Sequence, residues 1–308
     1  MSGSSEKESR DAARRVVIIG PGRVGSYWAR AALRGGVEVD LRARNPDEAP
    51  ADLRQYAAPI TADLPRNSWA GFDAVVLTCS DDAIATLCQQ IVAPAALHDP
   101  ASGPIIAHVS GRFSTEILTE AGVPAARAAS AHPLYPFTST DSSPEPEQVF
   151  HAIDGVPSAA EGIAAILRDI GAPSFFLHGA DRALYHLACV MASNHLVTLD
   201  HVAQTLMERA TGGGNVPPEA LRNLMEASLQ NLRGGDGTRA LSGPAQRGDA
   251  AAISQHIHAL QRLAPEHEAL YAELLRATLP ILPKSSQRIM ADLLNSVSLL
   301  SRPTSDKV

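Results

Sequence analysis

Short runs of β-branched and other apolar residues alternate with amphipathic stretches through the first part of the chain. Most of these runs are apolar at successive positions, which is typical of strands buried on both faces of a parallel sheet. The predicted strands are Arg15–Ile19, Val37–Leu41, Ala74–Thr78, Ile105–Val109, Phe150–Ile153 and Ser174–Leu177. Helices are predicted at Ser26–Arg34, Asp82–Ile91 and Ala159–Ile170. Strands alternating with helices indicate an α/β domain with a doubly wound parallel sheet and right-handed crossovers.

The pattern changes after Gly179. Neither proline nor glycine occurs from Asp181 to Ala210, and the leucines there recur at helical spacing, which predicts one long helix. More helices are predicted at Pro217–Leu232, Asp249–Leu263, Pro265–Thr278 and Ser286–Leu300, with Asp249 as an N-cap. We therefore expect an α/β domain at 14–178 and an all-α domain at 179–302, with flexible tails at 1–13 and 303–308.

Composition and charge exclude several classes of protein. The 308 residues are 45% hydrophobic and carry a formal charge of −7 without any long basic block, which argues against a nucleic-acid partner. No apolar run approaches the roughly 18 residues of a membrane span, so no membrane association is expected. The widely spaced Cys79, Cys88 and Cys189 lack metal-ligand spacing, which favours free thiols in a cytoplasmic protein without a metal.

Lysine is nearly absent, and this narrows the possible chemistry. The chain has three lysines, Lys7, Lys284 and Lys307, which leaves Arg10–Pro283 without one. Schiff-base chemistry and a lysine general acid are therefore not expected. Any proton transfer or anion binding in the body of the protein falls to histidine, arginine, serine or backbone groups.

A glycine-rich turn follows the first predicted strand and opens a helix. It consists of Gly20, Pro21, Gly22, Arg23, Val24 and Gly25, and it matches the G-x-G-x-x-G fingerprint of a Rossmann-type domain. In that fingerprint the glycines give a tight turn, close approach of a pyrophosphate and close packing of the helix, whose N-terminus faces the anion. The alternative is a glycine-rich turn that binds nothing.

The end of the second strand indicates which dinucleotide fits. NAD sites usually carry an acidic residue there, but this chain has Ala43, followed by Arg44 and Asn45. Arg44 can hold a 2′-phosphate and Asn45 can add a donor, so NADP (NADPH) is favoured over NAD. Asp40 lies too early in the strand for the acidic role, and the alternative for the arginines is a solvated surface. Thr78, at the end of the third strand, is a further cofactor-binding candidate.

Two polar clusters are expected at the carboxyl ends of later strands, where ligands of doubly wound sheets bind. Ser110 and Gly111 follow one strand, and His132 lies in the loop after Ala128–Ala131. Histidine titrates near neutrality and can exchange the proton that accompanies hydride transfer. The alternatives are a structural histidine bonded to backbone and a turn or cap hydroxyl at Ser110.

A third cluster lies on the predicted long helix and contains Tyr185, His186, Asn194 and His195. His186 and Asn194 are eight residues apart, so on one continuous helix they share a flank that can face a cleft between the domains. The alternative is that Asn194 braces a contact between helices. Arg247 follows Ser242–Gly243 and either binds a substrate carboxylate or forms a salt bridge at a helix start.

The ordered set of motifs resembles the Rossmann-like proteins that carry the domain of unknown function 2520. The resemblance runs from Arg15 to about Leu279 and rests on five motifs: Gly20–Gly25, Ser110–Ser114, His132–Phe137, Tyr185–Asn194 and Gly243–Asp249. It implies the wider superfamily of 6-phosphogluconate dehydrogenases, ketopantoate reductases and prephenate dehydrogenases. That membership implies an N-terminal dinucleotide domain, a helical C-terminal domain and a homodimer joined through the helices.

The resemblance carries over unevenly to the site. Many hydroxyacid members pair an asparagine with a lysine one turn earlier; Asn194 matches, but Val190 stands at the lysine position. The His132–Pro133 pair and Ser110 are instead similar to the histidine and serine that prephenate dehydrogenases use. Some members of the family are thought to reduce ketopantoate.

Together these features predict an NADP-dependent oxidoreductase acting on a small carboxylate-bearing substrate, first of all a 2-oxo acid and its hydroxy acid. His132 exchanges the proton, with His186 as a second candidate, while Ser110 and Asn194 hold the carbonyl or hydroxyl. Gly111 and Arg247 are the candidates for substrate binding. The alternatives are a dinucleotide-binding sensor or scaffold without catalysis, and an imine reductase.

Overall fold

The computed structural model describes residues 13–60, 69, 71–91, 103–141, 143–234 and 237–300. The predicted tails fall almost wholly outside these residues. The described part contains an eight-stranded sheet in the order β3-β2-β1-β4-β5-β6-β7-β8. Its strands are β1 (Arg15–Ile19), β2 (Glu38–Ala43), β3 (Ala57–Pro59), β4 (Ala74–Leu77), β5 (Ile105–His108), β6 (Ala128–Pro133), β7 (His151–Gly155) and β8 (Ser174–Phe176).

Helices are present at most of the positions that the apolar periodicity predicts, and there are further short ones. They are α1 (Arg23–Arg34), α2 (Ile84–Ile91), α3 (Glu116–Glu120), α4 (Pro157–Asp169), α5 (Arg182–Ala192), α6 (Asn194–Ala210), α7 (Pro218–Leu232), α8 (Gly237–Ala240), α9 (Pro244–Arg247), α10 (Ala250–Leu263), α11 (Glu268–Thr278) and α12 (Lys284–Leu300). Asp249 caps α10 as expected, because its side chain accepts a hydrogen bond from the backbone N–H of Ala252 at 3.0 Å. An α/β domain with a mostly parallel sheet, followed by helices, is confirmed.

The core of the sheet lies on both of its faces. Val16 and Ile18 of β1 pack in the same cluster as Trp28 of α1, whereas Val17 and Ile19 pack in the opposite cluster. This two-sided burial explains why β1 reads as a continuous apolar run. The strands β1 to β6 pair in parallel, so the loops that follow β1, β4 and β5 leave the sheet at one edge. After β1 the chain adds β2 and β3 on one side of that strand, and then returns to add β4 on its other side. Doubly wound sheets bind ligands in the crevice at this point, where the order of the strands reverses.

Three features of the sheet differ from the predictions. β7 runs antiparallel to β6, whereas the prediction was a parallel sheet. The prediction missed this because apolar periodicity carries no information about strand direction. The edge strand β3 was not predicted, because its three residues give too short a pattern. His132 was placed in a loop after Ala131, but it lies within β6, where its backbone is in register with Ala152 of β7.

The predicted single helix from Asp181 to Ala210 is also wrong. Helical structure is interrupted at Ser193, whose φ of −120° and ψ of −70° lie outside the helical region. Serine and asparagine both favour helix ends over helix interiors, because their side chains compete for backbone hydrogen bonds. His186 and Asn194 therefore do not share the flank of one continuous helix.

The chain divides into two compact units between Ser193 and Asn194. The domain boundary was predicted at residue 179, where the sheet ends, whereas α5 belongs with the sheet in the first unit. The second unit has its own small core, which includes Ile253 of α10, Leu275 of α11 and Met290 of α12. Among the described residues, no helix is long and apolar enough to span a membrane.

Candidate active site

The glycine loop after β1 is packed so tightly that side chains are excluded at two positions. Gly20 has a φ of +111°, and its N–H donates to the carbonyl of Arg42 at 2.8 Å. A Cβ on Gly25 would lie 1.9 Å from the carbonyl oxygen of Gly20, which is far inside van der Waals contact. The first turn of α1 thus packs directly on the end of β1, as the dinucleotide fingerprint requires.

The opposite side of the same loop is open. A Cβ on Gly22 would meet nothing within 4 Å, and no side chain caps the start of α1. The N–H groups of the first helical turn lack partners within the helix, and they carry its partial positive charge. Pro21, Arg23 and Val24 complete this turn, and Arg23 donates to the carbonyl of Phe137 at 3.1 Å. The residues present therefore fit a pyrophosphate.

Thr78 supports this loop from the neighbouring strand. Its hydroxyl lies 2.7 Å from the carbonyl oxygen of Gly20 and 3.0 Å from that of Ile19, and it is buried. One hydroxyl proton serves these two acceptors, so Thr78 holds the glycine turn in place. Its predicted role in cofactor binding stays a prediction, and the contact seen here is with the loop.

The end of β2 has the arrangement expected from the sequence. β2 ends at Ala43, and Asp40 is engaged within the strand by Arg42 at 2.6 Å. Arg44 is exposed directly after the strand. Asn45 caps the following short turn by accepting from the N–H of Asp47 at 3.2 Å, and its amide donates to Glu48 at 3.0 Å. In this arrangement Arg44, rather than Asn45, has a side chain available for a phosphate.

The loop after β5 is held by a buried histidine that the sequence did not single out. His108 is fully buried, its Nδ1 accepts from the N–H of Ser110 at 3.2 Å, and its Nε2 lies 3.1 Å from the carbonyl of Ser114. These contacts require the neutral tautomer protonated on Nε2. Burial, opposed by the contact with Ser114, lowers the pKa of His108 to about 4.

Ser110 and Gly111 occupy the end of this loop and are both buried. The Ser110 hydroxyl oxygen accepts from the N–H of Arg112 at 3.2 Å, which is the turn contact given as the alternative interpretation. A Cβ on Gly111 would lie 2.8 Å from the imidazole of His132. Gly111 therefore matters because its missing side chain makes room for the His132 ring.

His132 is bound to a side chain and not to backbone. Its Nδ1 lies 2.7 Å from the hydroxyl oxygen of Tyr185 on α5, and the two rings meet edge to face at 87°. Burial, followed by the charges of Arg182 and His186, lowers the pKa of His132 to about 4. The imidazole is therefore neutral at pH 7, with a free lone pair on one of its two ring nitrogens. Burial also raises the pKa of Tyr185, which keeps the phenol protonated.

Arg182 joins α5 to the loop after β5, and sequence analysis missed it. Its Nη2 donates to the carbonyl of Ser110 at 2.9 Å, and its guanidinium carbon lies 5.3 Å from the centroid of the Tyr185 ring. Its Nε and Nη1 are buried, and no described residue offers them a hydrogen-bond partner. The sequence offered one signal for Arg182, which is its position one helical turn before Tyr185. Its hydrogen-bond partner Ser110 is 72 positions away along the chain.

The other predicted site residues are divided between the two units. His186 is half-buried on α5 in the first unit, close enough to His132 to depress its pKa. Asn194 and His195 begin α6 in the second unit and are exposed. Arg247 is exposed at the end of α9, and among the ion pairs of the described residues none includes it, so the predicted salt bridge is absent.

A glycine loop that opens a helix at one edge of a mostly parallel sheet defines a Rossmann-like domain. Solved structures share it at low identity. A protein of Bacteroides fragilis provisionally named NADP oxidoreductase BF3122 aligns with a TM-score of 0.64 and 22% identity, covering 86% of this chain and 97% of that one. A variant imine reductase of Myxococcus stipitatus in complex with NAD⁺ aligns with a TM-score of 0.58 and 15% identity, covering 92% and 100%. A prephenate dehydrogenase of A. aeolicus in complex with hydroxyphenyl propionate and NAD⁺ gives 0.51 and 13%, covering 94% and 97%.

Residues 149–278 match the family described as Domain of unknown function (DUF2520). This match over the C-terminal part of the chain confirms the resemblance predicted from its motifs. The fold is that of NAD(P)-dependent dehydrogenases and reductases. None of the curated proteins matches the chain.

Proposed function

We propose that this protein is an NADP-dependent oxidoreductase that interconverts a small 2-oxo acid and its hydroxy acid. The observation that carries the proposal is a neutral, half-buried imidazole, that of His132, at the sheet edge that also bears the glycine loop. Tyr185 holds its Nδ1 at 2.7 Å, and Arg182 is near enough for its charge to lower the pKa of the imidazole. In net terms, the 2-oxo acid, NADPH and one proton give the hydroxy acid and NADP⁺. The fold shared with NAD(P)-dependent oxidoreductases supports the class of reaction.

The N-terminal turn of α1 would hold the pyrophosphate, and Arg44 the 2′-phosphate. When bound, the nicotinamide would supply or accept the hydride. Gly22 leaves open space for the backbone to approach the phosphates, and Thr78 keeps Gly20 in its strained turn. Asp40 is already paired with Arg42, so its carboxylate is not free to bind the ribose of the adenosine.

His132 would manage the proton. Its low pKa keeps the imidazole neutral at pH 7. With Nδ1–H donating to the hydroxyl oxygen of Tyr185, Nε2 would carry the lone pair that takes the hydroxyl proton as the hydroxy acid is oxidised. A bound carboxylate would raise this pKa, because a nearby negative charge favours the imidazolium, and the same group would then return the proton to the carbonyl oxygen. Tyr185 orients the ring through Nδ1 and leaves Nε2 for the substrate. Ser110 keeps its hydroxyl proton available for the carbonyl oxygen.

Imine reduction is the second candidate reaction. The fold shared with the Myxococcus imine reductase favours it over a sensor or scaffold without catalysis. It needs a proton donor but no lysine, and this chain has no lysine between Arg10 and Pro283. A sensor or scaffold that binds the dinucleotide without catalysis would keep the glycine loop but have no use for a neutral, buried His132.

Cofactor choice is tested by calorimetric binding of NADPH and NADH. We expect Arg44→Ala to weaken NADPH binding about 10- to 100-fold, since charge-assisted hydrogen bonds to a phosphate are lost, and NADH binding less than about threefold. Arg168→Ala, which removes an exposed arginine on α4, serves as the matched control. Equal losses for both cofactors would remove Arg44 from the 2′-phosphate.

The proposal includes a homodimer formed through the helical unit. No residue of α6 or α7 is buried, and these helices expose large apolar side chains. Val197 is 70% exposed and Leu224 is 64% exposed. Helices of this length normally owe their stability to packing of an apolar face. We expect Leu224→Glu to convert a dimer to a monomer in light scattering, and an unchanged mass would place the dimer contact elsewhere.

A further inference from the structure

We propose that Arg182 binds the carboxylate of the substrate beside His132. This inference rests on the function proposed above and names the residue that would select for an acid. Arg247, the residue expected to do so from the sequence, is exposed and lies in the other unit.

The first argument is the unmet hydrogen-bonding capacity of Arg182. Its Nε and Nη1 are buried and have no hydrogen-bond partner among the described residues, and its Nη2 donates to the neutral carbonyl of Ser110 at 2.9 Å. Among the ion pairs of the described residues, none includes Arg182. A guanidinium removed from water needs an anion, because an unpaired buried charge is costly.

The second argument is position. Arg182 lies one helical turn before Tyr185, which holds His132, so the guanidinium and the proposed base face the same space. Arg182 is also close enough to His132 for its charge to lower the pKa of that imidazole. A 2-oxo acid carries its carboxylate on the carbon next to the carbonyl. One such molecule can therefore reach both groups, with the carboxylate on Arg182 and the carbonyl oxygen at His132.

The third argument is a further unpaired hydroxyl on the same face of the sheet. Ser130 and His132 are two residues apart on β6, so their side chains point to one face. The hydroxyl of Ser130 is fully buried and has no hydrogen-bond partner within the part of the chain that the structure describes. Asp154, directly opposite Ser130 on β7, accepts a hydrogen bond from Gly155 at 2.9 Å. This face therefore carries the Ser130 hydroxyl and the Asp154 carboxylate beside His132, and Arg182 is the group on it that can pair with an anion.

The guanidinium of Arg182 suits carboxylate binding better than the guanidinium of an exposed arginine would. It can bind both oxygens of a carboxylate at once, and burial strengthens that pairing because no water competes. The contact to Ser110 and the ring of Tyr185 fix the side chain before a ligand arrives. The carboxylate of Asp154 is near enough to oppose, through its charge, the lowering of the Arg182 pKa by burial. Among the described residues, however, no ion pair joins the two groups.

The test compares 2-oxoisovalerate and ketopantoate with their methyl esters, in NADPH oxidation and in calorimetric binding in the presence of NADP⁺. We expect the wild type to prefer the acids, and Arg182→Gln to raise KM for them about 10- to 100-fold with little change for the esters. NADPH affinity should stay the same. Arg182→Lys, which keeps the charge without the fork, should retain part of the preference, and Arg168→Gln should retain all of it.

The opposite results are equally clear. Survival of the preference in Arg182→Gln overturns the assignment, as does its loss in Arg247→Gln alone. Failure of the wild type to bind any of the acids while it binds NADPH also overturns it, and leaves the cofactor site standing. Failure to bind NADPH itself contradicts the proposed function instead.

Discussion

Two histidine–tyrosine pairs of this protein have nearly the same local geometry. In the first unit, His132 Nδ1 lies 2.7 Å from the Tyr185 hydroxyl, with an interplanar angle of 87°. In the second unit, His256 Nδ1 lies 2.8 Å from the Tyr271 hydroxyl, with an angle of 78°. The hydrogen bond alone therefore cannot distinguish a reactive site from a contact between two helices.

The surroundings of the two pairs differ. His132 is flanked by Gly111, Arg182 and the end of a parallel sheet, and burial lowers its pKa to about 4. His256 is exposed on α10. Chemistry arises where burial, a nearby charge and space for a ligand coincide. The second pair supplies a matched control for each experiment on the first.

The largest difference is expected from removing the imidazoles. His132→Asn should lower kcat by at least about 100-fold, because general acid–base catalysis contributes on that scale, while NADPH affinity is retained. His256→Asn should leave kcat within about twofold. Steady-state rates with a 2-oxo acid measure both, and unchanged turnover in His132→Asn would return His132 to a structural role.

A smaller loss is expected from filling the space below the ring. The Cβ of Gly111→Ala would lie 2.8 Å from the His132 ring and displace it, so kcat should fall about 10- to 100-fold. Gly234→Ala places its Cβ at an ordinary contact distance of 3.4 Å and should be silent. Full activity of Gly111→Ala would mean that the position of His132 does not matter.

Removing the phenol hydroxyls should have a still smaller effect. Tyr185→Phe leaves His132 Nδ1 without its partner, so we expect a loss of about tenfold in kcat and about 1–2 kcal/mol in the free energy of unfolding. Tyr271→Phe should change stability by less than about 0.5 kcal/mol. Urea unfolding and kinetics test both variants, and equal effects would erase the distinction between the pairs.

The last expected effect concerns stability and not activity, and it is the pH dependence of the free energy of unfolding. Burial lowers the pKa of His132, and likewise of His108 and His151, to about 4, below the ordinary value of 6.5. Between these pH values the unfolded chain binds more protons, so the free energy of unfolding should fall as the pH drops from 6.5 to 4. His132→Asn should flatten the dependence of Tm on pH in this range. Identical slopes for variant and wild type would contradict the low pKa.

Much of the fold could be predicted because its signals are local. The strand Arg15–Ile19 and the glycine turn after it are contiguous, and a strand buried on both faces leaves a plain apolar run. The break at Ser193 was missed because helical spacing continues on both sides of it. The direction of β7 depends on which neighbour it meets, which its own residues do not encode.

The site was predicted only in part, for a related reason. His132 and Ser110 were found because each follows an apolar strand. Tyr185 is 53 positions from His132, and Arg182 is 72 from Ser110, so their contacts exist only in the folded chain. An arginine at the start of a helix usually lies in solvent, and nothing in the sequence marks this one as buried.

The most direct test of the account follows deuterium from NADPH labelled at C4 into a 2-oxo acid, with mass spectrometry of the product. We predict label on the new hydroxyl-bearing carbon with the wild type and with His256→Asn, and transfer at least about 100-fold slower with His132→Asn. Binding of NADPH without transfer of label to any 2-oxo acid by the wild type would contradict it.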